Sequence, residues 1–285
     1  MIFRKNEIIS ITAEELNHSG EAVYFIEDSK IVVRGLLPGE NADVKIIKPG
    51  KNVNFAKIFE ITKRSPKRVH SICPNQACGA CELLRASYSH QLEIKSAFIS
   101  EIFGSKIRIE PSKQICYRNK IILPVSRIEG KVNIGTYRRN SHDIADWSNS
   151  CPLIPDGMNR IISKAKELLH LYDPAGKTGQ LFIRDGSEGF QTGLIVTSAD
   201  DDIISMLREI SESRLDIVST FYSISSGTNS VLVRDPVFVT GKEYATLNTA
   251  NGSYKVSPQS FFQANIFTLD LILKKISDII LTFSD

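Results

Sequence analysis

The segment CPNQACGAC, residues 73 to 81, places three of the chain's five cysteines within nine positions, with Gly79 and Ala80 between the last two. Thiolates are soft metal ligands, and the spacing Cys73-x4-Cys78-x2-Cys81 lets one loop wrap several of them around a single centre. The small residues permit the tight backbone turn this needs. Three cysteines in a loop with a remote fourth is the pattern of an iron–sulfur cluster, whereas structural zinc more often uses two pairs. A zinc site remains open, since His70, His90 or His142 could complete it. Chance clustering of inert buried thiols is the third reading, and for Cys116 alone a buried thiol is the expectation. An odd cysteine count and an amino terminus without a long apolar run argue against a disulfide framework and for a reducing, cytoplasmic setting.

The charged residues suggest a second kind of chemistry. Between Lys45 and His70 there are eight lysines or arginines, including Lys45, Lys48 and Lys57, against the single acid Glu60. Residues 101 to 139 hold nine basic and three acidic residues, whereas Asp200 to Asp216 holds six acids against Arg208 and Arg214. The formal net charge of +3 hides this asymmetry. A basic first half suits an anionic partner, nucleic acid being the commonest, although lysines also serve simply to solvate a surface.

The elements that must position these groups begin with five short strand-like runs in the first 65 residues: EIISITAEEL, EAVYFIED, KIVVRGLL, NADVKIIKPG and FAKIFEITK. Strands this closely spaced predict a small barrel of the oligonucleotide-binding type, a pattern that purely structural barrels share. In LLPGEN, Pro38 presets one backbone angle and Gly39 accepts a positive one. From Cys81 a helix is expected, with Leu84, Tyr88, Leu92, Ile99 and Phe103 near one face. Beyond Pro111 come strands YRNKIILPVSRI and KVNIGTYRR, then a helix carrying Met158, Ile161, Ile162, Ala165, Leu168 and Leu169 that Pro174 ends. Strands QLFIRDG and QTGLIVTS, an acidic helix DDIISMLREISES, and strands DIVSTFYSI, NSVLVR and SYKVSP complete a mixed layer. The last stretch, from Ser260, reads as one apolar-faced helix. No segment approaches the roughly 18 to 20 uncharged residues that a membrane span needs.

Several motifs in order resemble the bacterial RNA 5-methyluridine methyltransferases. They are the GLLPGE turn, CPNQACGAC, Gln91 and Lys95 of SYSHQLEIK, YRNK at 117 to 120, IGTYRRNSHDIADWSNSCPLI at 134 to 154, and SPQSFFQAN at 257 to 265. The resemblance implies an α+β chain with four parts. These are a five-stranded OB-like TRAM barrel over 1–65, an iron–sulfur loop and helix over 66–116, a central α/β layer over 117–250, and over 251–285 the first helix of a Rossmann-like methyltransferase domain. It implies a 4Fe-4S cluster on Cys73, Cys78, Cys81 and Cys151, with four residues between the first two cysteines where the family has five. It further implies S-adenosylmethionine contact by Gln263, and RNA contact by Lys45, Lys48, Lys57, Arg118, Lys120 and Phe261. Phe261 would stack near an extruded base; from the residues alone, Phe261 and Phe262 are equally well read as core.

In such enzymes a cysteine thiolate adds to carbon 6 of uracil and carbon 5 takes the methyl group. No cysteine follows Cys151 and no glycine-rich turn follows Gly252, so the expectation is a chain without the catalytic cysteine, whose S-adenosylmethionine site is incomplete. The catalytic domain is then absent or supplied in trans, and ribosomal RNA is favoured over transfer RNA. The alternative is a stand-alone iron–sulfur or zinc RNA-binding protein that transfers no methyl group.

Overall fold

Alternating apolar and polar residues through the first 63 positions form six strands: β1 (Ile8–Thr12), β2 (Glu15–Leu16), β3 (Ala22–Ile26), β4 (Ser29–Arg34), β5 (Asn41–Lys48) and β6 (Val53–Lys63). The computed structural model describes residues 3–75, 77–139, 141–148, 150–225 and 233–283. It divides into two units, Met1–Ile72 with Cys81–Pro111 and Cys73–Ala80 with Ser112–Asp285.

In the first unit the sheet order is β1-β5-β6-β4-β3-β2. The first expected strand is two strands because the backbone bends at Ala13 and Glu14. There the Ala13 N–H donates to the Glu40 carbonyl at 2.9 Å and the Glu14 N–H to the Val23 carbonyl at 3.1 Å. β1 therefore pairs with β5 and β2 with β3. The two edges of the sheet are consecutive pieces of one bent segment, and Ile11, Ile31, Val33, Val44 and Ile46 belong to its core. Gly39 takes the positive φ of 80° that the turn requires. Beside it Glu40 is fully buried. Its carboxylate receives both Nε and NH2 of Arg68 at 2.6 Å, the Leu37 N–H at 2.8 Å and the Ser65 N–H at 3.1 Å. The helix of this unit, α1 (Tyr88–Phe103), starts seven residues later than Cys81. Its docking face is Ile94 and Phe98, which pack on the core of this sheet with Leu83, while Phe103 is exposed.

The second unit is built on β7 (Lys120–Ile128), β8 (Lys131–Tyr137), β9 (Ile144–Asp146), β10 (Thr178–Gly186), β11 (Gly189–Val196), β12 (Ile217–Ile224) and β13 (Val237–Gly241). They form one sheet in the order β13-β12-β11-β10-β7-β8-β9. β7 pairs with β10 up to Pro124 and with β8 from Val125; Pro124, having no N–H to donate, stands at the changeover. α2 (Asp156–Tyr172) buries the six expected apolar residues. α3 (Asp201–Glu212) is the crossover between the parallel pair β11 and β12, and Asp200 caps it by accepting the Ile203 N–H at 3.2 Å. The two helices pack against each other and on the sheet. Gly157 of α2 abuts the Phe190 ring, so by alternation the helices cover the face bearing Leu181, Ile183 and Leu194.

The opposite face carries a row running Ile122, Phe182, Gly193, Phe221, Phe238 across five strands. Phe182 and Phe221 meet edge to face with centroids 5.2 Å apart. A hairpin of β14 (Ala245–Thr249) and β15 (Gly252–Val256) follows; of these, together with β9 and β13, only β15 is evident from the sequence pattern. Of the expected strand NSVLVR, residues 229–232 lie outside the described residues, and Val233 and Arg234 form no strand. The last helix, α4, spans Ile266–Thr282 rather than starting at Ser260, because Asn265 caps it by accepting the Thr268 N–H at 3.1 Å. Among the described residues no helix is long and apolar enough to cross a membrane.

Candidate functional site

The segment SPQSFFQAN lies in the loop between β15 and α4, gripped at both ends. On one side stands Arg184 of β10, fully buried. Its guanidinium donates to the carbonyls of Val256 at 3.3 Å, Ser257 at 2.5 Å and Ser260 at 2.9 Å. On the other, Asn119 donates its backbone N–H to the Ala264 carbonyl at 2.9 Å and its side-chain amide to the Gln263 carbonyl at 3.0 Å. Arg118 forms a β-bridge with Asn265. Between the grips Phe261 stands 82% exposed, which excludes the core reading for that ring. Phe262 instead packs on Tyr254 with centroids 5.6 Å apart. Gln263 is exposed, with its backbone fixed and its side chain presented outward.

Lys120 lies directly opposite Arg184 in the β7–β10 ladder. Burial, then the Arg184 charge, pulls its ammonium down to about 8, and burial alone pulls Arg184 down to about 10. Lys120 is half-buried, its ammonium 5.5 Å from the Phe182 ring centroid, so it differs from the open, solvated lysine expected of a nucleic-acid rim. Arg118 is exposed. Next to Arg184, burial pushes the Asp185 carboxyl up, with Lys113 opposing.

The thiol cluster is also built from the second unit. Asn159 of α2 clasps the Cys151 peptide on both sides, accepting its N–H at 2.8 Å and donating to its carbonyl at 3.2 Å. The Asn75 amide donates to the Ser150 carbonyl at 3.4 Å, tying the cysteine loop to the segment before α2. Cys78 Sγ lies 2.9 Å from the Thr136 hydroxyl. A Cβ on Gly79 would come within 3.0 Å of the Arg139 nitrogen, so the loop backbone approaches β8's end as only a small residue allows. Burial pushes the Cys151 thiol up; backbone N–H groups of Leu153 and Ile154 oppose this, and the neighbouring Cys73 and Cys78 reinforce it. Three thiols thus share one neighbourhood.

Thiols are soft donors of the kind a metal or cluster takes, and of these Cys151 is buried while Cys73 and Cys78 are partly exposed. Among the described residues, no three His, Cys, Asp or Glu side chains stand in ready coordinating geometry. Cys81 belongs to the first unit, so the second unit contains three of the four expected ligands. Cys116 is exposed rather than buried, at a φ of 49°. Of the histidines considered for zinc, His90 is engaged by Glu93 at 2.7 Å and His142 meets the Tyr137 ring edge-on.

In the first unit, Lys45 and Lys57 face each other across the β5–β6 ladder and Lys48 faces Phe55. Like charges placed directly opposite cost stability unless an anion sits over them. Asn119, Arg184 and Asn159 were not singled out from the sequence. The available signal for Arg184 was a cation in the same strand phase as Phe182 within the apolar run QLFIRDG.

No family model matches the chain. Its fold matches that of one solved structure over nearly its whole length. The crystal structure of the Pyrococcus abyssi tRNA (uracil-54, C5)-methyltransferase in complex with S-adenosyl-L-homocysteine superposes with a TM-score of 0.74 at 23% identity, over 94% of this chain and 64% of that one. In sequence the chain is 30% identical to an uncharacterized RNA methyltransferase of Oceanobacillus iheyensis, over 92% of this chain and 61% of that protein. It is 29% identical to another of Clostridium tetani, over 95% of this chain and 64% of that protein. The chain therefore spans less than two thirds of the length of the relatives it matches.

Proposed function

We propose that this chain is part of an S-adenosylmethionine-dependent RNA (uracil-5-)-methyltransferase. The observation that carries the reading is the loop 257–265, held by Arg184 and Asn119, with Phe261 exposed and the Gln263 backbone pinned. Exposing a large aromatic ring on a rigid loop serves stacking rather than folding. The relatives' shared naming as RNA methyltransferases supports the same conclusion. In this reading Phe261 stacks on the extruded uridine and Gln263 contacts the cofactor, which supplies the methyl group. Arg118, Lys45, Lys48 and Lys57 contact phosphates, and Lys120 backs the loop through its place beside Arg184. Residues 1–65 serve as an OB-like TRAM module. Cys73, Cys78 and Cys151, with Cys81 as fourth ligand, hold a 4Fe-4S cluster in a structural role.

The test is RNA binding by the chain, with ribosomal and transfer RNA transcripts in competition. Binding should weaken as salt rises, and Phe261→Ala should reduce affinity for a uridine-containing loop about tenfold, the scale of one lost base stack. Equal affinity of the Phe261→Ala variant would overturn the assignment of that loop. For the metal, a preparation made without oxygen should be brown, with iron and sulfide in equal amounts; a colourless protein holding one zinc would replace the cluster with zinc.

A further inference from the structure

The outer face of the first unit's sheet carries more than lysines. Along β6, Asn54 and Ala56 point inward while Phe55, Lys57 and Phe59 are exposed, with Phe55 at 38% and Phe59 at 63%. Across the sheet, Phe55 has Val32 on one side and Lys48 on the other, and Lys57 has Lys45 beside it. Phe25, also exposed, lies two strands from β6 and pairs with Lys30 of the intervening β4. On a water-facing sheet surface these positions would ordinarily be polar. Register shifts at Asp43/Val44 and Ile46/Lys48 mark bulges, which increase twist and re-aim side chains.

Same-face neighbours on a strand stand about 7 Å apart, so β6 presents ring, ammonium, ring in a line. An apolar ring offers a base its face, and the adjacent ammonium offers the phosphate its counter-charge; this is how proteins bind unpaired nucleic acid without reading its sequence. A duplex cannot use such rings, because its bases are already stacked. The choice of an anionic occupant follows from the lysines at 30, 45, 48 and 57 on this one face. Asp43 and Glu60, opposite each other in the next row, mark where a phosphate track must leave the surface.

We propose that Phe55 and Phe59 form a base-stacking platform for an unpaired RNA segment whose phosphates lie over Lys45, Lys48 and Lys57. This rests on the RNA-binding reading above and adds the class of RNA and the residues that select it. The experiment measures fluorescence anisotropy of the full chain with a labelled single-stranded RNA and with the duplex of the same sequence, across a range of salt. Phe55→Ala and Phe59→Ala should each weaken single-strand binding about tenfold, leaving duplex binding and the slope of log affinity against log salt unchanged. Lys57→Ala should flatten that slope by about one. Phe55→Trp should keep the affinity, and its added indole emission should be quenched by RNA, which reports stacking in a folded protein. If both alanine variants bind as tightly as the original, or lose single strand and duplex alike, the platform is overturned while lysine-based binding stands. If the unaltered chain binds no RNA at low salt, the RNA-binding reading falls, and the platform with it.

Discussion

Glu40 shows how one side chain can hold a turn in place. A fully buried carboxylate is costly, and burial alone would raise its pKa. Two bonds from Arg68 and the N–H groups of Leu37 and Ser65 outweigh that effect and hold the carboxyl below its ordinary 4.5. The folded state therefore binds the proton less readily than the unfolded chain, so this stability is fully present above about pH 4.5 and is lost as pH falls through the lower folded value. Glu40→Gln leaves Arg68 without its anion and should cost about 3 kcal/mol near neutral pH. Hydrogen exchange at the β5 and β6 amides reads this directly. The gap between variant and original should narrow as pH falls below about 4.5, and a gap independent of pH would show that packing, not the ion pair, is what Gln disturbs.

At the scale of elements, the second unit's sheet depends on a missing side chain. Gly193 lies between Phe182 and Phe221 in one row, and a Cβ there would meet the Phe221 ring at 2.3 Å. Gly193→Ala should therefore destabilise by about 1–3 kcal/mol, the usual cost of overpacking a core. Shortening the obstructing ring with Phe221→Leu should restore part of that loss; strictly additive thermal shifts for the pair would place the strain elsewhere. This glycine also shows why some elements were legible in the sequence and others were not. Helices α2 and α3 announce themselves by apolar spacing, and α2 also by Pro174 beyond its end, since their stability comes from a local pattern. The bend at Ala13 and the split pairing of β7 depend on partners distant in sequence, as with the bond from the Ala13 N–H to Glu40. The candidate loop is a mixed case: its motif was visible, but the buried cation gripping it lies 72 positions before Val256. Cys116 was misread for the same reason, because burial is decided by the fold rather than by residue type.

At the scale of the whole molecule, α4 meets its own unit through the β14–β15 hairpin and the residues at 112–113. None of its residues is buried, and Leu271, Ile272, Ile276, Ile279 and Ile280 are all exposed. A helix of 17 residues draws most of its stability from packing an apolar face, and an exposed apolar stripe of this kind promotes association. The chain should consequently self-associate with rising concentration through this helix. Introducing Ile276→Lys with Ile280→Lys places two charges on that stripe without touching either core, and the variant should sediment as a monomer over a concentration range in which the original forms larger species. Helix content and thermal stability of the rest should be unchanged, since no buried contact is removed. Association persisting undiminished in the double variant would move the adhesive surface from α4 to another exposed apolar face, of which the Phe55–Phe59 strip is the next to test.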